Sequence, residues 1–233
     1  MSITHVVFDV GGIIVDEART WRGWAAVVGL PEADFLDALR DGIAAGEGIG
    51  GTVRRLRPGL DIAAHRRELA ALEIPGEGDL YPDVRPAFAA LRAMGLRLGI
   101  AGNQPRGVAA ALHGLGLGAE WVSNSAEWGV KKPDAAFFAR VAEACAAPPH
   151  RIAYVGDRLD NDARPARAAG MQAVLLPRGL WAHASGPADI AALTELPAYI
   201  GQLSTKLAAT SAVGTGRGEG PVGTARVSAP PTR

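Results

Sequence analysis

Cysteine is almost missing from this chain, with one residue, Cys145, in 233. A lone thiol excludes an internal disulfide framework and a thiolate metal cluster. Its place in an alanine-rich helical stretch makes it a small packing residue. Net charge is missing too: Lys and Arg number 24 and so do Asp and Glu. No broad electrostatic footprint for nucleic acid or an anionic membrane is therefore expected. No apolar run comes near the ~18 residues that cross a bilayer. No basic segment opens the N-terminus, and Asp9 interrupts the first apolar run, so no signal peptide is expected. The expectation is a cytoplasmic protein with no membrane and no nucleic-acid partner. Oligomeric state is unknown from the sequence.

What is present is a hydrophobic fraction of 48%, enough for one good-sized core and a smaller insertion. Four short apolar runs, Val6–Phe8, Leu98–Ala101, Ile152–Val155 and Ala173–Leu176, are too short for helices and end in turn or polar residues. A weaker fifth strand is read in "EWVSNS" from Glu120. Helical patterns at Val84–Met94, Val108–Leu115 and Ala135–Ala147 lie between them. Strands alternating with helices predict an α/β fold, a doubly wound parallel Rossmann-like sheet covered on both faces. Residues 17–80 carry helical periodicity alone and are read as a small α-helical cap inserted after the first strand, with Gly46, Gly48, Gly50 and Gly51 marking a loose connection. The core is then 1–16 and 81–203. A last helix broken at Pro197 closes it, and 204–233 has the composition of a disordered tail.

Ligands of an open parallel sheet bind beyond the carboxyl ends of its strands. The residues just past the apolar runs are Asp9, Asn103, Lys132 and Asp157. Two carboxylates, an amide and a lysine at one rim suit Mg²⁺, a hard ion that takes few protein ligands. The glycines after Asp9 let backbone N–H groups close on an anion. This mixture fits phosphoryl transfer, with an anionic substrate, a cation and a carboxylate able to attack.

The segments "VVFDVGGIIVD", "LGIAGNQP", "WGVKKPDAAFF" and "YVGDRLDNDARPARAAGM" resemble, in order, the four motifs of the haloacid dehalogenase-like (HAD) hydrolase superfamily. The insertion at 17–80 resembles its helical cap. The resemblance runs from Thr4 to about Leu203. It implies Asp9 as nucleophile and magnesium ligand, with the Gly11 carbonyl and Asp157 as further ligands. Lys132 would steady the nucleophile and the phosphate. Asp162 would order the metal's water shell or the lysine, and Asp160 is either a further acid or a helix cap. Val10, Gly11, Gly102 and Asn103 would line the phosphate.

Two positions depart from the family pattern. The residue two after the nucleophile is Gly11 rather than the proton-donating Asp of phosphatases. The second motif has Gly102, beside Asn103, rather than Ser or Thr. A positioned general acid–base contributes about 10²–10⁴ in rate, or roughly 3–5 kcal/mol of barrier. Asp16, Glu17 and His65 are the alternative proton sources; a hinge or cap role suits Asp16 and a surface helix suits His65. The reading is a Mg²⁺-dependent phosphatase acting on a small phosphorylated metabolite through an aspartyl-phosphate. One alternative is a catalytically weak or silent fold that binds a ligand or a protein. Another is dehalogenation, which uses no metal and is opposed by the acidic fourth motif. In the cap, Trp21 and Trp24 are read as core packing, and Arg54, Arg55 and Arg57 as a solvated basic face able to meet an anion if the cap closes. Trp128 either shapes the rim or packs beneath it.

Overall fold

The computed structural model describes residues 2–182 and 187–214. Five strands form one parallel sheet: β1 (His5–Phe8), β2 (Arg97–Gly102), β3 (Trp121–Asn124), β4 (Ile152–Gly156) and β5 (Gln172–Leu175), in the order β3-β2-β1-β4-β5. Phe8 pairs with Ile100 on one side and with Val155 on the other. The chain winds outward from β1 through β2 to β3, then returns to β4 beside β1. The order therefore reverses next to β1, where such sheets place their ligands. All five expected strands are present.

Alternation along β1 divides the core. Val6 and Phe8 face α5 (Val84–Ala93), α6 (Val108–Gly114) and α10 (Leu196–Gly214), with Phe8 stacked on Phe88 at 4.4 Å between ring centroids. Val7 faces α8 (Ala135–Cys145) and α9 (Arg164–Ala168), where Phe137, Phe138 and Tyr154 form an edge-to-face series. Each face of the sheet is closed by helices, as a parallel sheet buried on both sides requires. Cys145 is buried in the second layer.

Residues 18–73 form α1 (Ala18–Val28), α2 (Glu32–Ala44), α3 (Gly48–Leu56) and α4 (Ile62–Glu73), with a core of their own around Trp24, Phe35, Leu39 and Val53. Of the glycines expected to mark a loose connection, Gly46 lies in the turn between α2 and α3, whereas Gly48, Gly50 and Gly51 fall in the first turn of α3. Glycine serves close packing there: a Cβ on Gly51 would meet Glu47 Cβ at 2.6 Å, and one on Gly42 would collide with the Thr52 hydroxyl. The two chain crossings between this unit and the sheet run side by side. Asp16 N–H donates to Asp79 O at 2.8 Å, and Tyr81 N–H donates to Ile14 O at 3.1 Å.

Two readings at the C-terminus need correction. Pro197 lies in the first turn of α10 and starts that helix rather than breaking it, because proline needs no N–H there. The same helix runs to Gly214, so 204–214 is not tail. Leu196, Ile200, Leu203 and Leu207 keep one apolar face against the sheet layer, and the Ser204 hydroxyl accepts Ile3 N–H at 3.3 Å. Residues 215–233 lie outside the described residues. Among the described residues, no helix is long and apolar enough to cross a membrane.

His5 opens β1 in a buried position. Burial first, and then the Arg97 charge, hold its pKa below the ordinary value. The unfolded chain therefore binds a proton that the folded chain resists, and stability falls as pH drops through about 6.5. A His5→Gln variant is expected to gain on the wild type between pH about 7.5 and 5.5, measured as urea-unfolding midpoints.

Candidate active site

Asp9 follows β1 directly, and its N–H donates to Val155 O at 2.9 Å, which continues the ladder to β4. Its carboxylate is buried. Lys132 comes from the loop before α8 with its side chain only 1% exposed, and its Nζ lies 2.7 Å from Asp9 Oδ2 and 2.6 Å from Asp162 Oδ1. The rings of Tyr154 and Phe137 stand 5.6 and 6.0 Å from the ammonium. Paired carboxylates outweigh burial, so the lysine's pKa is raised well above its ordinary value. Asn103 holds the lysine's backbone from both ends: Lys132 N–H donates to Asn103 Oδ1 at 2.9 Å, and Asn103 Nδ2–H donates to Lys132 O at 3.0 Å. The Asn103 side-chain amide, expected to line the phosphate and take part in catalysis, is thus engaged with the Lys132 backbone.

Asp157 follows β4, and a π-helical turn at Leu159–Ala163 brings Asp162 back under it. Donor oxygens of Asp9, Asp157 and Asp162 all lie within 4.8 Å of one another. Burial raises the Asp157 pKa, and the charges of Asp162 and Asp9 raise it further. Burial also raises that of Asp9, with Lys132 opposing. Asp9 Oδ1 is buried and has no hydrogen-bond partner among the described residues. Lys132 pairs with Asp9 and Asp162, and an all-oxygen donor set with an orphaned carboxylate oxygen fits a hard divalent cation. Asp162 Oδ1 accepts Lys132, and its Oδ2 accepts Arg158 N–H at 3.0 Å.

The two glycine departures have local causes. A Cβ at position 102 would collide with Asp9 Oδ1, the orphaned oxygen, and would press on Val10 N at 3.3 Å. A Cβ at position 11 would stand 2.5 and 2.8 Å from the two carboxyl oxygens of Glu17. Glu17 comes from the far end of the loop. That loop folds on itself because Ile14 and Val15 N–H both donate to Val10 O, at 2.8 and 2.9 Å. Burial, and then the Asp9 charge, push the Glu17 carboxyl up to about 8.

A cavity of ≈ 360 Å³ opens between the rim and the helical unit, bordered by Val10, Glu17, Trp21, Arg66, Asn103 and Val108 among others. A smaller one of ≈ 110 Å³ is bordered by Gly12, Glu17, Tyr81 and Asp157. Of the other proton sources, Asp16 Oδ1 accepts Ala18 N–H at 3.0 Å as a helix-start residue. His65 pairs with Glu68 on α4 at 2.8 Å and borders neither cavity. Asp160 pairs with Arg158 at 2.6 Å at the surface. Arg55 and Arg57 bond within the helical unit, to Glu47 and to Val28 O. Arg54, Arg55 and Arg57 border neither cavity; Arg19 and Arg66 border the larger one instead. Trp24 is core and Trp21 borders both cavities. Trp128, which ends the short helix α7 (Ser125–Trp128), packs beneath the rim against Trp121 and Phe137.

Sequence reasoning missed Arg178. Its Nε donates to Gly12 O at 2.9 Å, one terminal nitrogen donates to Ile13 O, and the other pairs with Asp83 at 2.8 Å. The guanidinium also covers Tyr81 at 3.8 Å. It clamps the glycine loop from behind. Arg178 stands just past β5, and the strand-end rule extended to the last strand would have found it.

The profile of the haloacid dehalogenase-like hydrolases matches residues 3–170, and the chain belongs to that family. It is 40% identical over 105 residues to glyceraldehyde 3-phosphate phosphatase of Methanopyrus kandleri, a match covering 42% of this chain and 44% of that protein. The chain thus spans less than half the length of that relative. It is 30% identical over 197 residues to a protein named as a phosphatase in Mycobacterium tuberculosis, covering 76% of this chain and 89% of that one. Among solved structures, a magnesium-bound HAD hydrolase of Bacillus subtilis superposes with a TM-score of 0.68 at 18% identity, covering 86% of this chain and 99% of that one. That likeness is one of fold.

Lys132 is the cation between two buried acids, so removing it strands their charges. Lys132→Met is expected to cost about 3–5 kcal/mol, measured by urea unfolding at neutral pH without divalent ions.

Proposed function

We propose that this chain is a Mg²⁺-dependent phosphatase acting on a small phosphorylated metabolite through an aspartyl-phosphate on Asp9. The observation that carries the reading is the buried trio of Asp9, Asp157 and Asp162, each with a carboxylate oxygen within 4.8 Å of the others, in which Asp9 Oδ1 has no hydrogen-bond partner among the described residues while Lys132 holds Oδ2 at 2.7 Å. Asp9, Asp157 and the Gly11 carbonyl would hold the ion. When bound, magnesium offsets the charge of the phosphate and of the acids around it. The names of the two curated relatives point to the same chemistry.

Asp9 attacks phosphorus, and the P–O bond to the leaving oxygen breaks. Lys132 keeps the attacking carboxylate aimed and lowers the repulsion between two anions. Asn103 fixes the lysine's backbone. The N–H groups of Gly12, Ile13, Ile14 and Val15 are spent inside the loop, so amide contacts to the phosphate fall to Val10 and Gly11. The ≈ 360 Å³ cavity suits a substrate of metabolite size. Arg66, in no ion pair among the described residues, would meet a negative group on it. A silent binding fold gains no support from Gly102, because Asp9 itself fills the space a side chain would take.

Phosphate release from a panel of small esters, glyceraldehyde 3-phosphate included, is expected with Mg²⁺ and lost with EDTA or in Asp9→Asn. Mg²⁺ alone is expected to raise the wild-type melting temperature by binding the folded state, with the rise abolished in Asp157→Asn. No phosphate release from any ester, or release that EDTA leaves untouched, overturns the reading.

A further inference from the structure

We propose that Glu17 is the acid–base residue of this site, working from the space above Gly11 that a side chain at position 11 would otherwise fill. This rests on the phosphatase reading above and supplies the group whose usual position holds a glycine.

Three observations carry it. Both Glu17 carboxyl oxygens lie within 2.8 Å of the point where a Gly11 Cβ would stand, so the acid occupies the volume of a residue 11 side chain while being attached at residue 17. Glu17 alone among the carboxylates borders both the large cavity and the small one that reaches Asp157, apart from its neighbour Asp16. The Asp16 carboxylate is engaged by Ala18 N–H. The Glu17 carboxyl, in contrast, has no hydrogen bond and no ion pair among the described residues. A glutamate placed for structure alone would have a donor; this one faces open volume beside the nucleophile.

The steps balance. As Asp9 bonds to phosphorus, the bond from phosphorus to the leaving oxygen breaks and its electron pair stays on that oxygen. Glu17 transfers its proton there, and the neutral alcohol departs. Water then attacks the phosphorus of the aspartyl-phosphate and gives its proton to the Glu17 carboxylate. Asp9 leaves as a free carboxylate, inorganic phosphate is released and Glu17 is protonated again. Gly11 is then a requirement of Glu17 rather than a deficiency, since the two positions share one volume.

The test uses Glu17→Gln, which keeps the shape and has no proton to give, against an alkyl phosphate and p-nitrophenyl phosphate, with full chain and Mg²⁺. The quantity is kcat/KM, which reports steps up to formation of the phosphorylated enzyme. For the alkyl ester it is expected to fall about 10²–10⁴-fold. For the aryl ester, whose leaving anion needs no proton, the fall is expected to be far smaller, and phosphorylated enzyme accumulates in acid-quenched samples because water is no longer deprotonated. A second variant, G11D/E17G, returns a carboxyl to the same volume from the other end of the loop and is expected to recover part of the alkyl activity. Equal losses on both esters, or no loss on either, overturn the role of Glu17 while leaving the phosphatase reading standing. A wild type inactive on every ester overturns both. Thermal melting of each variant separates these outcomes from misfolding, and a folded G11D/E17G chain without recovery counts against the proposal.

Discussion

The ammonium of Lys132, 2.7 Å from Asp9 and 2.6 Å from Asp162, is the contact on which the rim depends. Burying a carboxylate without a partner is costly, and burying three at one point is more so. The three acids bring carboxylate oxygens within 4.8 Å of one another, and Asp9 Oδ1 has no hydrogen-bond partner among the described residues, which suits the site to a divalent ion. Other features serve this contact. Asn103 holds the lysine's backbone, Asp162 shares its charge, and the faces of Tyr154 and Phe137 enclose it where a compact cation meets π density. The site is built to keep negative charge concentrated at one point.

Backbone room is the second condition. Carboxylates can crowd together only where neighbouring residues have no side chain. Gly102 clears space for Asp9, and Gly11 clears space for Glu17. In the sequence these glycines read as the loss of two functional groups. In three dimensions each marks the volume of an acid that arrives from elsewhere in the chain. A string of letters records what a position lacks and not what moves into the gap, so the relation between residues 11 and 17 could not be read from spacing.

The sheet was legible because strand ends are local signals. Val6–Phe8 and Ile152–Val155 are short apolar runs closed by an acid, and the rule that ligands gather beyond strand ends brought Asp9, Lys132 and Asp157 to one place. Helix ends were less legible. Pro197 looked like a break but sits where proline is tolerated. The span 204–214 looked too polar and small to fold, yet Leu203 and Leu207 extend a face whose worth depends on the sheet layer it meets. Gly51 looked loose because what needs its small size, the Glu47 side chain that a Cβ there would meet at 2.6 Å, leaves no mark in the spacing. Arg178 was missed because its targets are main-chain carbonyls, which leave no mark in composition.

The paired crossings at residues 14–16 and 79–81 have an architectural consequence. Because the outgoing and returning strands of this neck bond to one another, the sheet is sealed at the point where the four-helix unit departs. Whatever is grafted onto the neck leaves the footing of Asp9 unchanged, so selection can rework the upper storey without rebuilding the foundation. Glu17 stands on the first step above that joint, and any exchange of the upper storey has to carry it along.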